Sequence, residues 1–378
     1  MIRRPVAIAA WLAAVVLAAS ACTSAPPDRT APPSATPSGS ATPVTAGWWR
    51  VADGATTLAS GLHAPWSVVP LAGGGALISQ RNDGTVVELT STGRLRTVGT
   101  VPDVVSGGES GLHGLALHVE GDTTWLYAYH GAESDNRVVR MPLVGQPGSF
   151  SLGDVEVIFS GIPRNSTHDG GRLAFGPDGF LYVTTGDAQN HPAAQDPDSL
   201  GGKILRLTPE GEPAPGNPFG TAVWTLGHRN VQGIAWTSDG TMWASEFGQD
   251  TWDELNRIVP GENYGWPIVE GMGDGGQGFA EPIAVWPPSE ASPSGIATVG
   301  DTVFMAGLRG ERLWMIDTDH GALKGEPMAA LAGEQGRLRD VVAAPDGMLW
   351  VLTNNTDGRG SPRPSDDLLL RLPISSAG

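Results

Sequence analysis

The feature that most limits how this chain can fold is a repeat. Six times an apolar strand segment runs into a Gly-containing turn and out into a second apolar segment. The copies are Trp66–Pro70 with Ala76–Ile78, Leu115–Leu117 with Trp125–Tyr127, and Leu173–Phe175 with Leu181–Val183. They continue as Ile234–Trp236 with Met242–Trp243, Ile296–Thr298 with Thr302–Phe304, and Val341–Ala343 with Leu349–Val351. Asp-Gly stands in the third, fourth and last turns, a hairpin signal because type I′ turns need positive φ. A third, polar-alternating strand follows in some copies, most clearly Thr85–Leu89 and Lys203–Leu207. A spacing of roughly 45 to 62 residues matches propeller blades better than a sandwich. The expected fold is therefore an all-β, six-bladed β-propeller, with Trp48–Val51 as the strand that closes the ring against the last blade.

Composition agrees. The 53 Gly and 31 Pro suit short strands and turns, because both residues break helix interiors. With 23 Lys+Arg against 40 Asp+Glu the net charge is −17, which argues against nucleic acid as a partner, since phosphate binding wants a cationic face. A single Cys excludes an internal disulfide.

That Cys sits at a telling place. Arg3 and Arg4 precede an apolar run, Val6 to Ala21, too short for a comfortable span and better read as a cleaved signal. It ends Ala19-Ser20-Ala21-Cys22, which resembles a bacterial lipobox. Residues 1–21 are thus expected to be a lipoprotein-type signal and Cys22 the lipid attachment point. Residues 22–46, built mostly of Ala, Pro, Ser and Thr, read as a tether, and 47–375 as the propeller. The expected location is the outer face of the cell membrane, held by lipid without a span.

Chemistry must come from loops, since a propeller by itself specifies none. Ser106–Leu112, Thr167–Arg172, Gly227–Gly233 and Gly336–Asp340 each precede the inner strand of a blade. If the blades are equivalent, His168, Arg229, Arg337 and Arg339 meet over one mouth, with Arg309 beside them. On so acidic a chain that is a local anion site. A neutral imidazole there suits a general base. A second constellation runs Glu246–Asn256 and then Gly261–Pro267, rich in carboxylates, amides and Gly-flanked carbonyls. Spacing alone leaves it open as a hard-cation loop or an acidic solvated one.

At these residues the sequence resembles the glucose/sorbosone dehydrogenase family. The most specific stretch is Gly227-His228-Arg229-Asn230 with Gln232-Gly233, then Asp253-Glu254-Leu255-Asn256 and Asn263-Tyr264-Gly265-Trp266-Pro267. The resemblance implies pyrroloquinoline quinone (PQQ), a planar tricarboxylate, and calcium as cofactors. It also implies an aldose-type sugar as substrate, oxidised at C1 to a lactone, with electrons passed to an external acceptor. It implies His168 as the base, Arg229 and Asn230 against the quinone, and Arg337 and Arg339 as a PQQ-binding pair. Arg309 falls where the family has a basic residue. Gly248 and Gln249 match the carbonyl ligands of the cofactor calcium, Glu254 and the Tyr264 carbonyl a structural calcium, and Trp286 the aromatic near the sugar. Two departures stand out. Glu109 replaces a Gln near the cofactor, where a carboxylate repels PQQ unless protonated or calcium-bound, and Gln249 replaces a Pro. The alternatives are a calcium-dependent lactonase or hydrolase on the same propeller, and a lipid-anchored binding module without cofactor.

Overall fold

The computed structural model of the protein describes residues 46–273 and 275–377. The expected signal, Cys22 and the tether up to Thr45 lie outside them.

Six antiparallel sheets follow one another along the chain. Their first strands are Pro65–Pro70, Leu112–Glu120, Leu173–Phe175, Val231–Trp236, Pro293–Val299 and Leu338–Ala343. Each of these strands contacts the first strand of the next sheet, and Leu338–Ala343 returns to Pro65–Pro70, so the six enclose a central channel. This is a six-bladed β-propeller, as the repeat predicts. Among the described residues there is no α-helix, only a 3-10 turn at His191–Gln195.

The core sits between blades. Leu77, Leu126 and Met141 fill the gap between blades one and two, and Tyr129, Leu181 and Leu205 the next. Ile204 with Ala244, Trp243 with Met305, Phe304 with Val351, and Ile78 with Leu352 complete the circuit. Alternation along each strand therefore buries both faces, which explains why the inner strands read as nearly continuous apolar runs.

Two expectations need correction. The ring is closed by Thr56–Ala59, which pairs with Leu369–Leu372 as the outer strand of blade six. Trp49–Val51 instead pairs with Ile374–Ser376 in a separate two-stranded ribbon. That ribbon is fastened to blade five: Thr302 Oγ1 accepts the Trp49 N–H at 2.9 Å, and Arg50 pairs with Asp317 at 2.8 Å. The Asp-Gly turns also are not type I′. In Gly176-Pro177-Asp178-Gly179 only Gly179 among the last three has positive φ, and Gly179 N–H closes the turn onto Gly176 at 2.9 Å. Asp178 accepts the Phe180 N–H at 3.2 Å, and Asp239 and Asp346 repeat the device with Thr241 and Met348. These are Asx-stabilised loops of more than two residues.

The loop joining the second and third strands of blade three is held by a buried lysine. Lys203 Nζ donates to the carbonyls of Ala193, Ala194 and Gly201 at 2.8, 3.0 and 2.7 Å. Replacing Lys203 by Met leaves these carbonyls short of a donor, at about 1–3 kcal/mol for each one that finds no other partner. Denaturant unfolding of Lys203→Met should show a loss of roughly 2–4 kcal/mol; a midpoint equal to the native protein's would contradict this assignment.

Candidate active site

Strands alternate in direction within each blade, so the connections from second to third strand and from blade to blade emerge at the same end of the channel. There they enclose a pocket of about 500 Å³. Its floor is Trp66, whose ring carries the Arg172 guanidinium at 4.3 Å and the Arg339 guanidinium at 5.8 Å.

His168 sits on the wall in left-handed backbone, φ 62°. Such strain in a non-glycine residue persists only where neighbours enforce it. Here the His168 N–H donates to Glu109 Oε2 at 2.9 Å, and its carbonyl lies 1.8 Å from where a Cβ on Gly186 would be, so only glycine fits at 186. The imidazole is held from both sides: Nδ1 is 2.7 Å from Asp187 Oδ1, and Nε2 is 2.8 Å from Arg229 Nη2. Arginine donates and cannot accept, so Nε2 carries the lone pair and Nδ1 the proton. This tautomer presents a base to the pocket.

Asp187 is fully buried and also accepts from His191 Nδ1 at 2.6 Å, Trp266 Nε1 at 2.8 Å and the Gln189 N–H at 2.8 Å. Burial alone would raise its pKa, but the bonds from His168, His191 and Trp266 outweigh it and bring the group down to about 2. His168, Asp187 and His191 could as a set surround a metal ion. Both imidazoles turn Nδ1 to the same carboxylate, however, which is the geometry of a hydrogen-bonded base.

The lining around it is cationic. Arg81, Arg229, Arg309, Arg337, Arg339 and Arg359 line the pocket against Glu109, Asp253 and Asp357, an excess of three positive charges. Arg337 pairs with Asp357 at 3.0 Å, and Arg81 reaches the Asp357 carbonyl at 3.1 Å. Burial, opposed by Asp357 and reinforced by Arg337 and Arg81, brings Arg339 down to about 9. Arg337 Nε is buried without an acceptor. A tricarboxylate fits this donor set in charge and supplies the missing acceptors. Glu109, a carboxylate expected to repel PQQ unless protonated or calcium-bound, is met by Arg359 at 2.7 Å. Arg172 does not line the pocket and pairs with Asp340 of blade six at 2.9 Å.

The blade-four connection supplies Gly248 and Gln249 to the same pocket. Gln249 Oε1 accepts from Arg229 Nε and Nη2 at 3.1 and 3.0 Å, so the residue at the expected carbonyl-ligand position also aims the arginine that touches His168. Behind it lies a buried acid pair. Asn256 Nδ2 donates to Glu254 at 3.0 Å and Glu246 at 3.2 Å, while Asn256 Oδ1 has no partner. Burial first, and then Glu246, push Glu254 up to about 8. Two buried carboxylates and an orphaned amide oxygen are hard oxygen donors short of a cation, which fits calcium. The Tyr264 ring stacks on His228 at 4.6 Å and its hydroxyl donates to the Arg257 carbonyl at 2.7 Å, leaving its backbone for the role expected of it.

Of the residues singled out from sequence, His168, Glu109, Arg229, Asn230, Gly248, Gln249, Arg309, Arg337 and Arg339 share the pocket. Glu254 and Tyr264 are not among the residues that line it. Trp286 does not fit its expected role. Its ring is buried among Trp243, Leu255 and Ile296, tilted against Trp314 at 5.5 Å, so it packs blade four on blade five and does not line the pocket. Sequence reasoning missed Asp187, His191, Arg81, Asp357 and Arg359. All lie in connections between second and third strands, which strand direction places beside the other loops.

A sequence model of the Glucose / Sorbosone dehydrogenase family matches residues 62–371. The PQQ-bound aldose sugar dehydrogenase of Streptomyces coelicolor is 50% identical, with a TM-score of 0.83 over 88% of this chain and 100% of that one. A putative oxidoreductase (glucose dehydrogenase) from Thermus thermophilus is 43% identical, with a TM-score of 0.77 over 85% and 99%. The aldose sugar dehydrogenase YliI of Escherichia coli K12 is 31% identical over 70% of this chain and 80% of its own.

Proposed function

The chain belongs to the glucose/sorbosone dehydrogenase family, and from that membership we propose that it is a PQQ-dependent sugar dehydrogenase oxidising an aldose-type sugar at C1 to the lactone. The observation that carries this reading is the series Asp187–His168–Arg229, which opens an unprotonated Nε2 onto a pocket with three surplus positive charges. PQQ with its calcium supplies the two-electron acceptor when bound. The chain's own residues do the rest. His168 Nε2 takes the C1 hydroxyl proton, and Asp187 stabilises the imidazolium that results. Arg229 and Asn230 would orient the acceptor, Arg337 and Arg339 would hold its carboxylates, and Gly248 and Gln249 would offer carbonyls to calcium. Glu246, Glu254 and the Tyr264 carbonyl would hold a second, structural calcium. Electrons pass on to an external acceptor. Residues 1–21 as a lipoprotein-type signal and 22–46 as a tether would make the protein an exported one, held at the outer face of the cell membrane through lipid on Cys22.

Adding PQQ and calcium to apoprotein and screening aldoses against an artificial electron acceptor tests this. Dye reduction is expected. No PQQ binding in large cofactor excess would sink the proposal, and lactone hydrolysis persisting without PQQ would favour a calcium-dependent lactonase. Sugar binding without turnover would favour a binding module.

Arg337→Ala should weaken PQQ by about 10–100-fold in a fluorescence titration, the effect of one charge-assisted contact of about 1.5–3 kcal/mol. Arg371→Ala, on the third strand of blade six and paired with Asp346, should leave it unchanged. Equal affinities in both variants would remove Arg337 from the cofactor site.

A further inference from the structure

One carboxylate oxygen organises the loop that carries Gly248 and Gln249. Glu270 Oε1 accepts four consecutive backbone N–H groups, from Gln249 at 2.7 Å, Asp250 at 3.0 Å, Thr251 at 2.9 Å and Trp252 at 3.1 Å. Burial would raise this carboxyl, but the four bonds outweigh it and hold its pKa below the usual range. The peptide bonds of this loop are trans. In a trans peptide the N–H and the preceding C=O point in opposite directions. Four N–H groups converging on Glu270 therefore turn the carbonyls of Gly248, Gln249, Asp250 and Thr251 away from it. Gly248 and Gln249 line the pocket and Glu270 does not.

The approach is close. A Cβ on Gly248 would stand 2.9 Å from Glu270 Oε1 and 1.8 Å from the Trp252 carbonyl, so a side chain at 248 would break the arrangement. The loop is also tied at its inner end, where Asp253 Oδ1 accepts the Gly248 N–H at 2.9 Å. The residue after Glu270 reaches the other candidate cation site, since the Gly271 N–H donates to Glu254 Oε1 at 2.8 Å. Residues 270 and 271 thus connect the two.

We propose that Glu270 is a positioning residue for the cofactor calcium: by gathering the N–H groups of residues 249–252 it presents the Gly248 and Gln249 carbonyls together to the pocket. Nothing in the proposal requires Glu270 to touch the ion or the sugar. It rests on the calcium–PQQ reading above, and it deepens that reading by naming what preorganises two otherwise mobile carbonyls.

Two measurements test it. In apoprotein, amide hydrogen exchange at residues 249–252 should be slow in the native protein and at least ten-fold faster in Glu270→Ala. The calcium concentration at half-saturation of PQQ binding, followed by fluorescence, should rise about 10–100-fold in Glu270→Ala, the range seen when an outer-shell partner of a metal site is removed. Glu270→Gln keeps an acceptor oxygen without the charge and should recover part of both effects. Thermal melting checks that each variant is folded, and Glu270→Gln carries the test if the alanine variant is not. Fast exchange in the native protein, or one calcium midpoint shared by native and variant proteins, overturns the proposal. PQQ binding by the native protein that ignores calcium overturns the calcium reading and this proposal with it.

Discussion

Asp187→Asn, in protein loaded with PQQ and calcium, should lose about 10³–10⁴-fold in kcat for sugar oxidation while binding PQQ as tightly as the native chain. The reason is the tautomer. Asp187 accepts the Nδ1 proton of His168, which leaves Nε2 unprotonated: its lone pair accepts from Arg229 Nη2 and can take a proton from substrate when that contact gives way. Asparagine keeps the shape, but its amide can donate to Nδ1 and so move the ring proton to Nε2. That places an N–H against the Arg229 guanidinium and removes the base from the pocket. His168→Ala should cost about as much, and the double variant little more, because the two groups act as one unit. A dye-coupled assay reads the rate; an Asn variant within ten-fold of native would detach Asp187 from the chemistry.

The carboxylate also fixes the sign of a pH effect. The folded-state pKa of Asp187 is about 2 against an ordinary 3.8, so it favours the folded state above pH 4 and loses that contribution as pH falls towards 2. The stability deficit of Asp187→Asn should therefore be full at neutral pH and shrink below pH 4. Asp187 stays ionised well above pH 2, so loss of activity at mildly acid pH does not report its protonation.

Glu254→Gln should abolish the rise in Tm that calcium gives the PQQ-free protein, yet leave the metal-free protein as stable as native or more so. Glu246 and Glu254 share the two hydrogens of Asn256 Nδ2, and both are buried. A neutral, isosteric glutamine relieves their repulsion and at the same time removes the charge that a cation needs. Calcium at 100 times its Kd adds about 2.7 kcal/mol to the native protein, roughly 5 °C for a domain of this size. Calorimetry with calcium and with a chelator measures both quantities. A glutamine variant that retains the full increment would place the structural cation elsewhere.

Much of this architecture is legible without coordinates. Alternation with period two and turns at repeated intervals specify strands, and six copies of one unit specify a ring of blades, because each unit can bury its faces only against its neighbours. His168, Arg229, Arg337 and Arg339 stand out because the same loop position recurs from blade to blade. Trp286 shows the limit of that method. A tryptophan in a loop-rich stretch serves equally as a sugar platform or as packing, and only the position of Trp314 decides between them.

Other features have no local signal. Thr56–Ala59 rather than Trp49–Val51 closes the ring because the outer position in blade six goes to whichever segment registers with Leu369–Leu372, more than 300 residues away. Arg359 neutralises Glu109 across 250 positions of sequence. Asp187, Glu270 and Asp357 read in sequence as three among 40 acids on a chain of charge −17. Short-range preferences determine which segments become strands and turns, since those depend on neighbours two to five residues apart. Which carboxylate meets which imidazole, arginine or row of N–H groups depends on strand direction and closure of the whole ring, and only the tertiary structure decides it.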